Sequence, residues 1–468
     1  MKTITQPDSI QRLATALSLA ARVAFACTLI LIPFRLRLDL VPRPAPPVYA
    51  DYVDLFLFAS DAGLLCTLTL WWTSILVARR RISLGPRCLW IPLAALTAIG
   101  AASAAVSYDP LLSTYQALRL LLLFWFYVYI VNEIRSIAWI VVPVTIQVIL
   151  QSVVALGQFI AQRSLDLQAL GELQLDPAWS GVGIVVANGV RLLRVYGLSD
   201  HPNILGGCLA FALVFLLGAY LHGSSRTAVL AAFVCGLAAL LVTFSRAAWL
   251  AFFAGSTMIL VVEALGRRWD SLKALIPLAA VSAVLVASIV LAYSRFFGVR
   301  LDLGNSYNVP SVEQQSIGER AILIQAALPL FLQHPLLGVG LGASPLALQS
   351  AYPGLTVPYQ PAHLTLLDAA VETGLPGAVA YLFLSLAPFV LYFRRAHLLL
   401  ADRFATVAIA VLFSILVVGA FDYYTWLLVA GRLWQWLAWG IWGLASIQWP
   451  AFQLTSDPVI SRKVGVFV

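Results

Sequence analysis

Long apolar runs alternate with short polar breaks along almost the whole chain, and each run is near the ~20 residues that carry a helix across a hydrocarbon layer. Backbone groups in lipid find no water to bond, so such runs fold as helices. The pattern predicts twelve of them, over 13–34, 52–78, 88–107, 114–131, 137–162, 204–222, 227–244, 247–265, 274–293, 366–393, 404–421 and 427–448. The expected fold class is therefore an all-α polytopic membrane protein of about twelve transmembrane helices, with one large late loop, built as a single integral domain over 1–468. The first apolar run follows a polar start and lacks a small-residue cleavage site, so it reads as the first membrane helix.

Composition removes the other classes. Of 468 residues, 61% are hydrophobic and 11% charged, against about 45–50% and about 25% in soluble domains. So few charges cannot cover that much apolar surface, which excludes a soluble enzyme and a disordered chain. The five cysteines (Cys27, Cys66, Cys88, Cys208 and Cys235) sit within or beside apolar runs with no CxxC pair. They read as small buried hydrophobes, and a disulfide framework or metal site has no support.

The net charge of +8 lies in short connections, where it reports topology before it reports a nucleic-acid partner. Arg79, Arg80, Arg81 and Arg87 follow the second run, Arg267, Arg268 and Lys273 the eighth, Arg394, Arg395 and Arg403 the tenth, and Arg462 and Lys463 the last. All fall on one side if both termini are inside, which makes that side cytoplasmic. The first outer connection, with Arg35, Arg37 and Arg43, is an exception, and Pro42, Pro44, Pro46 and Pro47 suggest that it is stiff and extended. Two long segments, 163–203 and 294–365, then fall outside, and little room is left for cytoplasmic nucleotide chemistry.

The polar residues of those outer segments gather into groups. Arg191 and Arg194 precede Tyr196-Gly197 and His201-Pro-Asn203. If helical, the two arginines share a face, and they either meet lipid headgroups or hold an anion. Arg246 stands in the tight turn Thr243-Phe-Ser-Arg246 between two apolar runs, where an arginine is costly unless it reaches water or an anion. Ser316 and Glu319 fit a capping box, which would place Arg320 in a first helical turn. A cation opposes the helix dipole there, a conflict that a bound anion would relieve. Gly338-Val-Gly340-Leu-Gly342 has no βαβ unit around it and reads as a tight turn with close backbone approach. His363 stands at re-entry to the membrane, on the same side as the arginines, a placement that suits a general base. Glu372 and Asp368 are off its face, and Glu372 is expected to pair with an arginine or fill a polar gap. Asp61 and Arg119 fall within predicted helices, as a buried pair or as part of a path. Trp71, Trp72, Tyr423, Tyr424 and Trp426 read mostly as interfacial belts, with a few able to stack on sugars.

Taken in order, Arg194-Val-Tyr-Gly197, His201-Pro-Asn203, Thr243-Phe-Ser-Arg246, Arg320, His334-Pro-Leu-Leu-Gly338-Val-Gly340, and His363 with Glu372-Thr-Gly374 resemble the O-antigen ligase and polysaccharide polymerase superfamily. The resemblance implies a membrane glycosyltransferase of the bacterial inner membrane that works on the extracytoplasmic face. It implies an undecaprenyl-diphosphate-linked oligosaccharide as donor, a glycan or lipid-linked sugar as acceptor, and no metal or other cofactor. Carried over by position, His363 matches the catalytic histidine, Arg246 and Arg320 the arginines on the donor diphosphate, and Arg194 a further basic position. Arg191, Arg300 and Tyr196 are second-tier candidates. Leu364 departs from the family's usual Asn after the histidine, which argues against a standard ligase and leans the reading toward a polymerase. A single displacement would invert the anomeric centre, with arginines stabilising the leaving diphosphate. From a different class, a lipid-linked glycan transporter or flippase would instead show charges near the midplane and paired broken helices.

Overall fold

The computed structural model describes residues 8–221, 226–301, 312–394 and 403–456. Arg395, Arg462 and Lys463 lie outside them, as do the side chains of Ser316 and Arg403. Every predicted run falls on a helix: α1 (Asp8–Leu31), α3 (Ala59–Ala78), α4 (Arg87–Ser103), α5 (Pro110–Glu133), α6 (Ala138–Ala161), α7 (Pro202–Leu221), α8 (Arg226–Val242), α9 (Arg246–Leu265), α11 (Ile276–Ala292), α15 (Thr365–Arg394), α16 (Arg403–Gly419) and α18 (Val429–Ser456). Among the described residues, eight helices are long and apolar enough to cross a membrane. A ninth is reached if α11 and α12 (Ser294–Arg300), which meet at a bend of 88°, count together as one span. The chain is an all-α polytopic membrane protein.

Further helices fill the connections: the short α2 (Ala50–Val53), α10 (Trp269–Ala274), α14 (Ser344–Ala351) and α17 (Tyr424–Leu427), and the 22-residue α13 (Val312–Gln333). Two antiparallel hairpins, β1 (Arg37–Val41) with β2 (Leu55–Phe58) and β3 (Ile184–Ala187) with β4 (Val190–Leu193), are the sheet among the described residues. They correct two sequence expectations. The second span starts at Ala59, not 52, because Leu55–Phe58 pairs with Arg37–Val41; a short apolar run does not tell strand from helix. Residues 191–193 form a strand, so Arg191 and Arg194 share no helix face. Helix α13 starts at Val312, so Arg320 lies beyond its first turn and the dipole argument for an anion there falls away. Cys27 and Cys66 are exposed on their helices, contrary to the expectation of buried thiols.

The glycine-rich segment explains the break in α15. Pro376 has no N–H, so the carbonyl of Glu372 has no partner one turn on, and the backbone leaves helical geometry at Gly374 (φ +69°). The freed carbonyls of Val371 and Glu372 accept from the N–H groups of Val339 (2.8 Å) and Gly340 (3.2 Å). Tyr108 N–H in turn donates to Val339 O at 3.1 Å, and Ser113 Oγ to Leu341 O at 2.9 Å. A strap of backbone thus ties the start of α15 to the α4–α5 connection. Gly340 (φ +101°) fits because a Cβ there would stand 2.1 Å from Ser107 Oγ.

The connections α1–α3, α6–α7, α11–α15 and α16–α18 meet around one cavity at one end of the bundle, joined there by Tyr115, Gln116 and Arg119 of α5. The α8–α9 turn lies beside it through Thr243 O, which accepts from Arg194. Val48 and Val53 of the first connection pack with Leu323, Leu330 and Leu348 of α13 and α14 in a small separate core, which holds the first connection against the late segment. Arg80, after α3, pairs at 2.7 Å with Glu133 at the far end of α5.

Candidate active site

The cavity holds about 520 Å³ and is lined by Arg194, Arg300, Arg320 and His363 among the residues singled out by sequence. Each arginine is held by backbone. Arg194 is buried; its Nε donates to Thr243 O at 2.8 Å and its Nη2 to Asn203 Oδ1 at 2.6 Å. Arg300 Nε donates to Phe244 O at 2.6 Å, and Arg320 Nη1 to Phe421 O at 3.3 Å. A guanidinium has five donors in a fixed fork, so a carbonyl at one edge orients the plane without neutralising its charge.

Arg246 stands at the start of α9 beside the cavity rather than among its lining residues, and its Nη1 reaches Arg300 O at 3.5 Å. Arg191 is exposed on β4, and its Nε donates to Pro177 O, before the hairpin, at 2.5 Å. Tyr196 is buried, and its hydroxyl accepts from Gly183 N–H at 2.8 Å. Its ring lies edge-on to His201, with centroids 6.0 Å apart, so its place is behind the cavity wall.

His363 is paired with a residue that the sequence did not single out. Its Nδ1 lies 3.5 Å from Asp422 Oδ1, in the turn between α16 and α17. Asp422 is itself fixed. Its Oδ2 accepts from Asn203 Nδ2 at 3.2 Å, its Oδ1 from Tyr423 N–H at 2.9 Å, and its backbone carbonyl from Thr365 Oγ1 at 2.9 Å. Burial pushes this carboxyl up, but the neighbouring His363 and the charge of Arg320 outweigh burial and hold it down to about 2. Asp422 is therefore ionised at any ordinary pH.

The second histidine of the cavity, His201, has the opposite character. Asn203 N–H donates to its Nδ1 at 3.1 Å, which assigns the ring proton to Nε2. Burial first, then the charge of Arg194, lowers it to about 3. His201 is a fixed neutral donor, whereas His363 presents Nδ1 to a carboxylate and leaves Nε2 to accept a proton.

Further charged groups line the cavity from the first connection and α5. Arg37 bridges Asp51 (2.5 Å) and Asp200 (3.4 Å) and lies over the Phe56 ring at 3.8 Å; Arg35 pairs with Asp200 at 2.8 Å. Arg119 reaches the cavity from α5 while pairing with Asp61 at 2.8 Å, the buried pair foreseen as one alternative. Glu372 fills a polar gap below: its oxygens accept from Ser344 Oγ at 2.9 Å and Trp426 Nε1 at 2.8 Å. Trp71, Tyr424 and Trp426 are buried, which corrects their reading as interfacial belts; Tyr423 does line the cavity.

No curated protein matches the chain. Residues 231–382 match the family model described as O-antigen ligase, a stretch that takes in Arg246, Arg300, Arg320, His363 and Glu372. With an all-α membrane fold around it, that match supports the O-antigen ligase and polysaccharide polymerase superfamily for this chain.

Proposed function

We propose that this protein transfers a glycan from an undecaprenyl-diphosphate donor to a sugar hydroxyl, with inversion, on the extracytoplasmic side of the bacterial inner membrane. The observation that carries the reading is the meeting of Arg194, Arg300 and Arg320 with the His363–Asp422 pair in one cavity. The arginine-bearing connections after α3 and α9 leave the bundle at the other end, and positive charge favours the cytoplasm. That charge bias supports a cavity that opens outside.

In the proposed step the acceptor oxygen attacks C1 and the bond from C1 to the diphosphate oxygen breaks. The electron pair of that bond leaves with the lipid diphosphate, whose growing charge Arg194, Arg300 and Arg320 stabilise without reorganising. Arg246 supports the same anion from its place beside Arg300. His363 Nε2 takes the acceptor proton, and Asp422 steadies the imidazolium that forms. His201 Nε2–H donates a neutral hydrogen bond to a phosphate oxygen. No step calls for a metal, because the arginines supply the positive charge.

The test is transfer by the purified protein supplied with a polyprenyl-diphosphate oligosaccharide in the presence of a chelator, read on a gel. A ladder that disappears in His363→Ala supports polymerisation. A single addition to a separate terminal acceptor, also lost in the variant, supports ligation. Near-full transfer by His363→Ala overturns the mechanism.

A further inference from the structure

A row of aromatic rings leads from His363 to the mouth of the cavity. Tyr423 stands edge-on to His363, with centroids 5.0 Å apart at 67°. Tyr52 stands edge-on to Tyr423 at 6.0 Å, and Tyr49 is 6.4 Å from Tyr52. All three tyrosines line the cavity, and Tyr49 is 52% exposed. The hydroxyls of Tyr52 and Tyr423 meet at 2.5 Å, and burial pushes both above the ordinary phenol range, so both keep their protons.

The row differs in chemistry from the arginine-lined part of the cavity. Arg194, Arg300 and Arg320 suit an oxyanion. Aromatic faces suit the apolar C–H face of a pyranose, and hydroxyls or a carboxylate rim suit its O–H groups. The rim is Asp51, half exposed, with Oδ1 fixed by Arg37 at 2.5 Å. In an enzyme that joins a sugar hydroxyl to a diphosphate-activated sugar, the group that must lie beside the base is the acceptor.

We infer that Tyr49, Tyr52 and Tyr423, with Asp51 at the rim, form the subsite for the acceptor sugar and present its hydroxyl to His363. The inference rests on the glycosyl-transfer reading. It assigns these residues to acceptor binding and none of them to the donor diphosphate. Tyr49 is the position to test, since its exposed ring can be removed without opening the core.

The probe is the phosphate-free repeat unit released by mild acid from the host's own lipid-diphosphate glycan. Its binding to the full chain in nanodiscs is read by saturation-transfer NMR. Wild type is expected to give saturation transfer that inorganic diphosphate does not displace. Tyr49→Ala is expected to reduce it at least threefold, and Tyr49→Phe to restore it. In the transfer assay Tyr49→Ala is expected to raise the acceptor KM about fivefold or more, with kcat within about twofold. No signal from wild type, an undiminished signal from Tyr49→Ala, or displacement by diphosphate overturns the inference. Full transfer by His363→Ala beside Tyr49-dependent glycan binding would instead overturn the transfer mechanism and leave the subsite standing.

Discussion

Asn203 Nδ2 donates to Asp422 Oδ2 at 3.2 Å across 219 residues of sequence, while Asn203 Oδ1 accepts from Arg194 Nη2 at 2.6 Å. One amide thus ties a cavity arginine to the carboxylate behind His363. The start of α7 and the turn before α17 are locked together at the point where the proposed base needs a fixed partner.

That relationship makes Asp422 and Asn203 positioning residues. Asp422→Asn keeps the shape but removes the charge behind the imidazole, so kcat is expected to fall on the order of a hundredfold with donor KM little changed. Asn203→Ala frees the carboxylate without removing it, and a loss of about tenfold is expected, the worth of one hydrogen bond to a charged group. Steady-state kinetics checks both, and an unchanged kcat in Asp422→Asn would remove this carboxylate from the mechanism.

The arginines separate by position. Arg320 lines the cavity, so Arg320→Ala is expected to reduce kcat/KM for the lipid-linked donor by about 10- to 100-fold. Arg320→Lys should recover only part, since an ammonium cannot hold two oxygens in one plane. Arg191 is exposed and spends its guanidinium on the Pro177 and Trp179 carbonyls, so Arg191→Ala is expected to transfer within about threefold of wild type. Equal losses in the two variants would mean that the cavity boundary does not mark the anion site.

Gly340 tests the strap that holds α15. A β-carbon there would adopt φ +101° and meet Ser107 Oγ at 2.1 Å. Left-handed strain alone costs about 1–3 kcal/mol, and Gly340→Ala is expected to lower the thermal midpoint in detergent by several degrees. Gly354 is the control: it has no positive φ, and a β-carbon there would meet nothing within 4 Å. Gly354→Ala is expected to stay near wild type.

Much of this was legible in the chain because the signals are local. Apolar runs mark twelve of the helices, since lipid leaves the backbone no other partner. Arg194 and His363 stand near Gly197 and Pro361, turn residues that mark segments facing the cavity. Asp422 escaped because it sits alone in Phe421-Asp-Tyr-Tyr-Thr-Trp426, where spacing says nothing about a histidine 59 residues earlier. The first hairpin escaped for a related reason: Leu55–Phe58 reads as the head of a helix until Arg37–Val41 is laid beside it. Arg246 shows the reverse limit, since its sequence neighbourhood marks the right turn but not which side of Arg300 the guanidinium takes.

Asp200 gives the protein a pH dependence that can be measured apart from catalysis. Burial raises its carboxyl to about 6, against the pull of Arg37 and Arg35. The folded state therefore holds this proton more tightly than the unfolded chain, where an Asp titrates near 3.9. The stability linked to it is fully present below the unfolded value and is lost as pH rises through about 6. Above that, Asp200 is a charged group partly withdrawn from water, with Arg35 at 2.8 Å and Arg37 at 3.4 Å as its partners. Asp200→Asn cannot ionise, so it is expected to lack this component. Between pH 4 and pH 7 the melting temperature of wild type should fall relative to that of the variant, by a few degrees in all. Parallel curves would mean that the arginines already stabilise the carboxylate enough to cancel its burial. The first connection would then be held to the 199–201 turn by a fully formed ion pair throughout this range.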